Sequence, residues 1–122
     1  MSEPKSIAIV DDDMSVREAT ENLVRSYGLS VRTFASAESY LAATAGSRID
    51  CLITDIQMDG IDGVELFQTL RQGGVTTPII FITAFPDERV RKRVMAAGAI
   101  GFLGKPFASQ ALIDCIELAL VA

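Results

Sequence analysis

The stretch IAIVDDDMS, residues 7–15, decides how this chain is read: four apolar residues, mostly β-branched, end on three consecutive carboxylates. Such a run has the form of a strand covered on both faces whose carboxyl end opens on a polar edge. Three further runs end on groups that carry chemistry: CLIT (51–54) on Asp55, PIIFI (78–82) on Thr83, and IGFLG (100–104) on Lys105-Pro106. In an open parallel sheet the carboxyl ends of all strands lie on one edge, so groups distant in sequence can form one pocket there.

Outward from these ends, apolar runs of strand length alternate with helical-period stretches, which argues for an α/β sheet with parallel strands. Five such pairs are legible, with strands near residues 6–10, 30–34, 50–54, 78–83 and 100–103. In the first helix Val16, Ala19, Leu23, Val24 and Tyr27 recur at helical spacing, Ser15 with Glu18 has capping-box form, and Gly28 suits the stop. Asp62 with Glu65 opens the third helix in the same way. Ser36 and Ser109 read as caps of the second and fifth helices, and Gly98 as the end of the fourth. Right-handed crossovers put helices on both faces, and five strands favour the doubly wound order 2-1-3-4-5, a flavodoxin-like fold.

The length suits one domain spanning residues 1–122, enough for a real core. Sixteen Asp and Glu against eleven Lys and Arg give a net charge of -5, the wrong sign for a domain that binds nucleic acid directly. No apolar run reaches the length of a membrane span and the first ten residues lack the form of a signal peptide, so a soluble cytoplasmic protein is expected. The chain has no histidine, which excludes Ser-His-Asp and Cys-His catalysis and the usual zinc sites. Any phosphohistidine in its pathway must sit on another molecule. Cys51 and Cys115 read as small buried hydrophobes.

With that strand order, Asp11 and Asp12 leave the first strand beside Asp55 on the third. Each like-charged pair at about 4 Å repels by roughly 4 kcal/mol at an effective dielectric of 20, so the cluster needs a cation or a proton. Mg2+ answers that need, because it takes oxygen ligands from one or two carboxylates and keeps positions for water and phosphate oxygens. Lys105 and Thr83 supply a positive charge and a hydroxyl donor for a phosphate. Singly, these residues have plainer readings: Asp11, Asp12 and above all Asp13 as helix caps, Lys105 as a surface lysine, Thr83 as a strand residue satisfied locally. Their joint occurrence at successive strand ends favours a site.

The set in order is an acidic pair after the first strand, DIQMDGIDG (55–63) after the third, Thr83-Ala84 after the fourth and Lys105-Pro106-Phe107 after the fifth. It resembles the receiver (CheY-like) domains of two-component response regulators along essentially the whole chain. VDDD (10–13) and GAIGFLGKPF (98–107) look closest to FixJ-type receivers, which usually carry a C-terminal helix-turn-helix. The resemblance implies that Asp55 is the phosphoacceptor and that Asp12, Asp55 and the backbone carbonyl of Gln57 hold Mg2+, with Asp11 acting mainly through water. It implies that Thr83, with the adjoining Ala84, and Lys105 meet the phosphoryl group, and that the Lys105-Pro106 peptide is cis. On phosphorylation Thr83 turns inward and Phe102 fills the space it leaves.

The implied partners are a sensor histidine kinase or phosphotransfer protein, a fused or separate effector domain acting on transcription, and a second copy docked through the fourth helix, fifth strand and fifth helix. Arg89, Arg91, Lys92 and Arg93 make that fourth helix locally basic. In the fifth, Leu112, Ile113, Ile116, Ala119 and Leu120 can cover the sheet, while Ala111, Cys115 and Leu118 widen the apolar stripe, as a partner contact or wider burial would require.

Two positions depart from the family. Asp59 stands where receivers commonly have proline, which leaves the loop backbone freer and adds a carboxylate near the metal. Phe85, two residues beyond Thr83, stands with Gln57 at positions that in the family flank the path of a hydrolytic water, and the resemblance implies that its large apolar ring excludes that water. Two other readings compete. One is an interaction module that no longer takes phosphate; the other is a phosphatase resembling the haloacid dehalogenases, with Asp11 as nucleophile and Asp13 as acid/base.

Overall fold

The computed structural model describes residues 4–44 and 47–121. Five parallel strands, β1 (Ser6–Val10), β2 (Ser30–Phe34), β3 (Cys51–Asp55), β4 (Ile79–Thr83) and β5 (Gly101–Gly104), form one sheet in the order β2-β1-β3-β4-β5. Helices α1 (Met14–Arg25), α2 (Ala37–Thr44), α3 (Gly63–Gln72), α4 (Glu88–Ala96) and α5 (Ser109–Val121) connect and flank them. Fold class and strand order are those expected, with β3, β4 and β5 each beginning one residue late.

The core has two layers, because each central strand alternates its side chains between faces. Ile7, Ile9, Ile53, Ile80 and Ile82 pack with Val24 of α1 and with Leu112, Ile113, Ile116 and Ala119 of α5. Ala8, Val10, Leu52, Ile79 and Phe81 pack with Tyr40 of α2, Leu66, Phe67 and Leu70 of α3, and Val94 of α4. Strands β3 and β4 are buried along their whole length, which explains why apolar residues dominate them up to their polar carboxyl ends.

Several local expectations are corrected. The Ser15–Glu18 capping box does not form; Asp13, the last extended residue, caps α1 by accepting from the amides of Ser15 and Val16 at 2.9 and 3.2 Å. Ala19 of α1 is exposed, as is Tyr27, which lies past the helix end, whereas Thr20 is buried with its hydroxyl donated to the Val16 carbonyl at 2.8 Å. That local bond lets a threonine occupy a core position that an apolar pattern overlooks. Ser109 lies inside α5, and the Ala108 carbonyl accepts the first helical amides. The remaining expectations hold: Asp62 and Glu65 close a capping box, Ser36 Oγ accepts from the Ser39 amide, and Gly28 and Gly98 adopt φ of +78° and +106° just past their helices.

Candidate functional site: an acidic pocket at the carboxyl edge

Parallel pairing sets Val10 beside Thr54, Asp55 beside Ile82 and Thr83 beside Gly104, so all four chemically loaded strand ends reach the same edge. Asp11, Asp12 and Asp55 there each bring a carboxylate oxygen within 4.8 Å of the other two. Asp11 and Asp55 are buried and Asp12 is exposed. Lys105 Nζ donates to Asp11 Oδ2 at 3.0 Å and to Asp55 Oδ2 at 3.1 Å, and its peptide bond to Pro106 is cis. Asp11 is fully engaged, since its Oδ1 accepts from the Asp13 amide at 2.9 Å. Asp55 is not. Its Oδ1 is buried without a hydrogen-bond partner among the described residues.

Burial raises the Asp55 pKa above the ordinary carboxylate value, and the Asp11 charge adds to that, against the opposing pull of Lys105. For Lys105 burial acts in the reverse direction, but the hydrogen bonds and charges of Asp11 and then Asp55 outweigh it and hold the ammonium above its usual range. Among the described residues Lys105 is the cation paired with this cluster, and it meets two of the three carboxylates. An oxygen-only donor set with one unsatisfied buried acceptor is what a hard divalent ion requires, so the residues present fit Mg2+.

Thr83 is buried, and its hydroxyl is occupied away from the acidic cluster: it donates to Gln57 Oε1 at 2.5 Å and accepts from the Phe85 amide at 3.0 Å. Ala84 is exposed and the Phe85 ring is 73% exposed. Phe102 is half-buried against the layer beneath α2, α3 and α4. Asp59 is exposed and lies outside the carboxylate cluster. Asp13 is a cap, as its plainer reading held. Sequence reasoning missed two contributors. Arg17 Nη1 donates to the Asp11 carbonyl at 2.7 Å, and Gly63 brings α3 so close to β3 that a Cβ there would lie 2.3 Å from the Asp55 carbonyl oxygen. The arginine had no signal beyond its place in the first turns after the acidic run; the glycine stood in the segment 55–63 but was read only as part of a motif.

A cavity of about 680 Å3 opens at the opposite edge of the sheet among Lys5, Arg48, Asp50 and Pro78, and none of the pocket residues lines it. No helix among the described residues is long and apolar enough to cross a membrane.

Fold and pocket together define a class of signalling domain. Residues 7–117 match the family model of the response regulator receiver domain, and the chain belongs to that family. It is 36% identical over 115 residues to the transcriptional regulatory protein TdiR of Thauera aromatica, covering 94% of this chain and 51% of that one. To FixJ of Bradyrhizobium diazoefficiens it is 33% identical over 114 residues, covering 93% and 56%. The crystal structure of FixJ-N superposes with a TM-score of 0.88 at 33% identity, covering 98% of this chain and 96% of that one. The chain thus spans about half the length of the full relatives it matches. Receiver domains are the signalling switches of two-component systems, interact with histidine kinases and bind Mg2+ at their acidic pocket; this chain carries a cluster of Asp11, Asp12 and Asp55 at the carboxyl edge of its sheet.

Proposed function

We propose that Asp55 is the phosphoacceptor of a switch loaded by a sensor histidine kinase or phosphotransfer protein. The observation that carries this reading is the asymmetry of the two buried carboxylates: both oxygens of Asp11 are engaged, whereas Asp55 keeps one oxygen free. An Asp55 oxygen forms the new P–O bond as the P–N bond of the partner's phosphohistidine breaks and the imidazole leaves. Lys105, already paired with Asp55, follows the charge onto the phosphoryl oxygens. Asp12, Asp55 and the Gln57 carbonyl would hold Mg2+, with Asp11 acting mainly through water. When bound, the ion neutralises charge shared among the phosphoryl oxygens.

The acyl phosphate adds nearly two negative charges. Thr83 exchanges its bond to Gln57 for one to the phosphoryl group, and Phe102 moves into the space it leaves. The changed face of α4, β5 and α5 then acts on a second copy or an effector. The names of TdiR and FixJ support control of transcription as the output.

Incubation with Mg2+ and acetyl phosphate tests this reading. The expected product is an acid-stable, base-labile adduct mapped to Asp55 and absent from Asp55→Asn. An adduct on Asp11 would support the phosphatase reading instead, and none would support an interaction module independent of phosphate. The full engagement of Asp11 weighs against the phosphatase.

A further inference from the structure

We propose that Arg17 is a positioning residue that clamps the β1–α1 loop and thereby sets the affinity of the pocket for a divalent cation; this rests on the Mg2+-dependent reading given above. Helical side chains lean toward the N-terminus, so Arg17 of α1 reaches back over the loop that precedes the helix. Its Nη1 donates to the Asp11 carbonyl at 2.7 Å, a charge-assisted bond. Arg17 forms no ion pair within 4 Å among the described residues, and its guanidinium serves the backbone of an acidic loop rather than a carboxylate.

The same loop is held on two further sides. The Asp11 amide donates to the Phe34 carbonyl at 3.1 Å, and the Asp13 amide donates to Asp11 Oδ1 at 2.9 Å. Asp12 sits between these anchors with an exposed side chain that makes no hydrogen bond of its own among the described residues. Its carboxylate therefore owes its place in the cluster to the orientation of the Asp11–Asp12 peptide, whose carbonyl Arg17 holds. Outer-shell contacts of this kind orient ligands that have no other constraint.

A clamp and a mere nearby charge act with opposite signs. Removing a positive charge beside a cation site relieves repulsion and tightens binding, whereas releasing Asp12 weakens it. Mn2+ binding to the 122-residue chain, measured from the electron paramagnetic resonance of the free ion, separates them. The variants are Arg17→Met, which keeps the apolar stem, and Arg17→Lys, which keeps the charge.

The expected result is a Kd about tenfold higher in Arg17→Met and intermediate in Arg17→Lys. Labelling of Asp55 by acetyl phosphate should fall at limiting Mg2+ and recover at saturating Mg2+, and the Asp13 amide should exchange faster. Equal or tighter Mn2+ binding in Arg17→Met overturns the clamp. So does wild-type affinity in Arg17→Lys, which decides the matter even where the methionine variant folds poorly. A wild-type chain that binds Mn2+ yet accepts no phosphate refutes the proposed function and leaves the clamp standing on the Mn2+ data.

Discussion

Asp50 illustrates how single side chains hold this sheet together outside the pocket. Its Oδ2 accepts from the Ser6 amide at 2.8 Å and its Oδ1 from Arg48 Nε at 3.0 Å, which ties the start of β1 to the residue before β3. Burial alone would raise the Asp50 pKa, but the Ser6 amide and Arg48 together hold it below the usual carboxylate value. A depressed folded-state pKa contributes stability that is present above the unfolded value, near about 3.9, and is lost as pH falls through the folded one. Asp50→Ala should cost about 1 kcal/mol at pH 7, the size of a typical hydrogen-bond loss, with a smaller gap at pH 3. Urea melts at the two pH values check this; an equal gap at both would assign the effect to packing. Phe85 and Asp59 carry the family departures. Phe85→Glu should shorten the lifetime of the phosphate several-fold in a discharge assay, because the exposed ring would no longer exclude water; an unchanged or slower rate counts against a barrier. Asp59→Pro should stiffen the β3–α3 loop and shift the Mg2+ titration. If both the titration and hydrogen exchange over 56–62 stay as in the wild type, Asp59 has no such role.

At the scale of elements, α5 meets β5 through a small-residue contact. A Cβ on Gly101 would lie 2.7 Å from Cys115 Sγ, and both cysteines are free thiols. Gly101→Ala should therefore cost about 1–3 kcal/mol through overpacking. Combining it with Cys115→Ala should recover part of that loss, a coupling of roughly 1 kcal/mol for residues in contact. A double-mutant cycle in urea that proves additive would show that β5 shifts instead. The elements were legible because two periodicities alternate along the chain, and Asp62 with Glu65 marked the start of α3 correctly. At the start of α1 the cap reading of Asp13 held and the Ser15–Glu18 capping box did not, because three carboxylates and a serine all had capping chemistry. Backbone geometry chose Asp13, the residue still extended one step before the helix.

Across the whole molecule, the two-layered core leaves one end of α5 uncovered, with Leu118 57% and Val121 81% exposed. If the α4, β5 and α5 face is the output, the chain treated with acetyl phosphate should self-associate in sedimentation, and Leu118→Glu should abolish that without lowering the melting temperature. Self-association of the variant at wild-type strength would move the contact elsewhere. The sequence by itself determined the five strand-helix pairs, their parallel order and the placement of Asp11, Asp12, Asp55, Thr83 and Lys105 at one edge of the sheet. Hydrophobic period and strand-end chemistry are local properties, and a parallel sheet gathers such ends by symmetry. Only the tertiary structure decided which buried carboxylate keeps a free oxygen, where the Thr83 hydroxyl is tied, and that Arg17 and Gly63 lie against the Asp11 and Asp55 backbone carbonyls. Those outcomes depend on which donors of distant segments arrive within hydrogen-bond reach, and spacing along a chain carries no record of that.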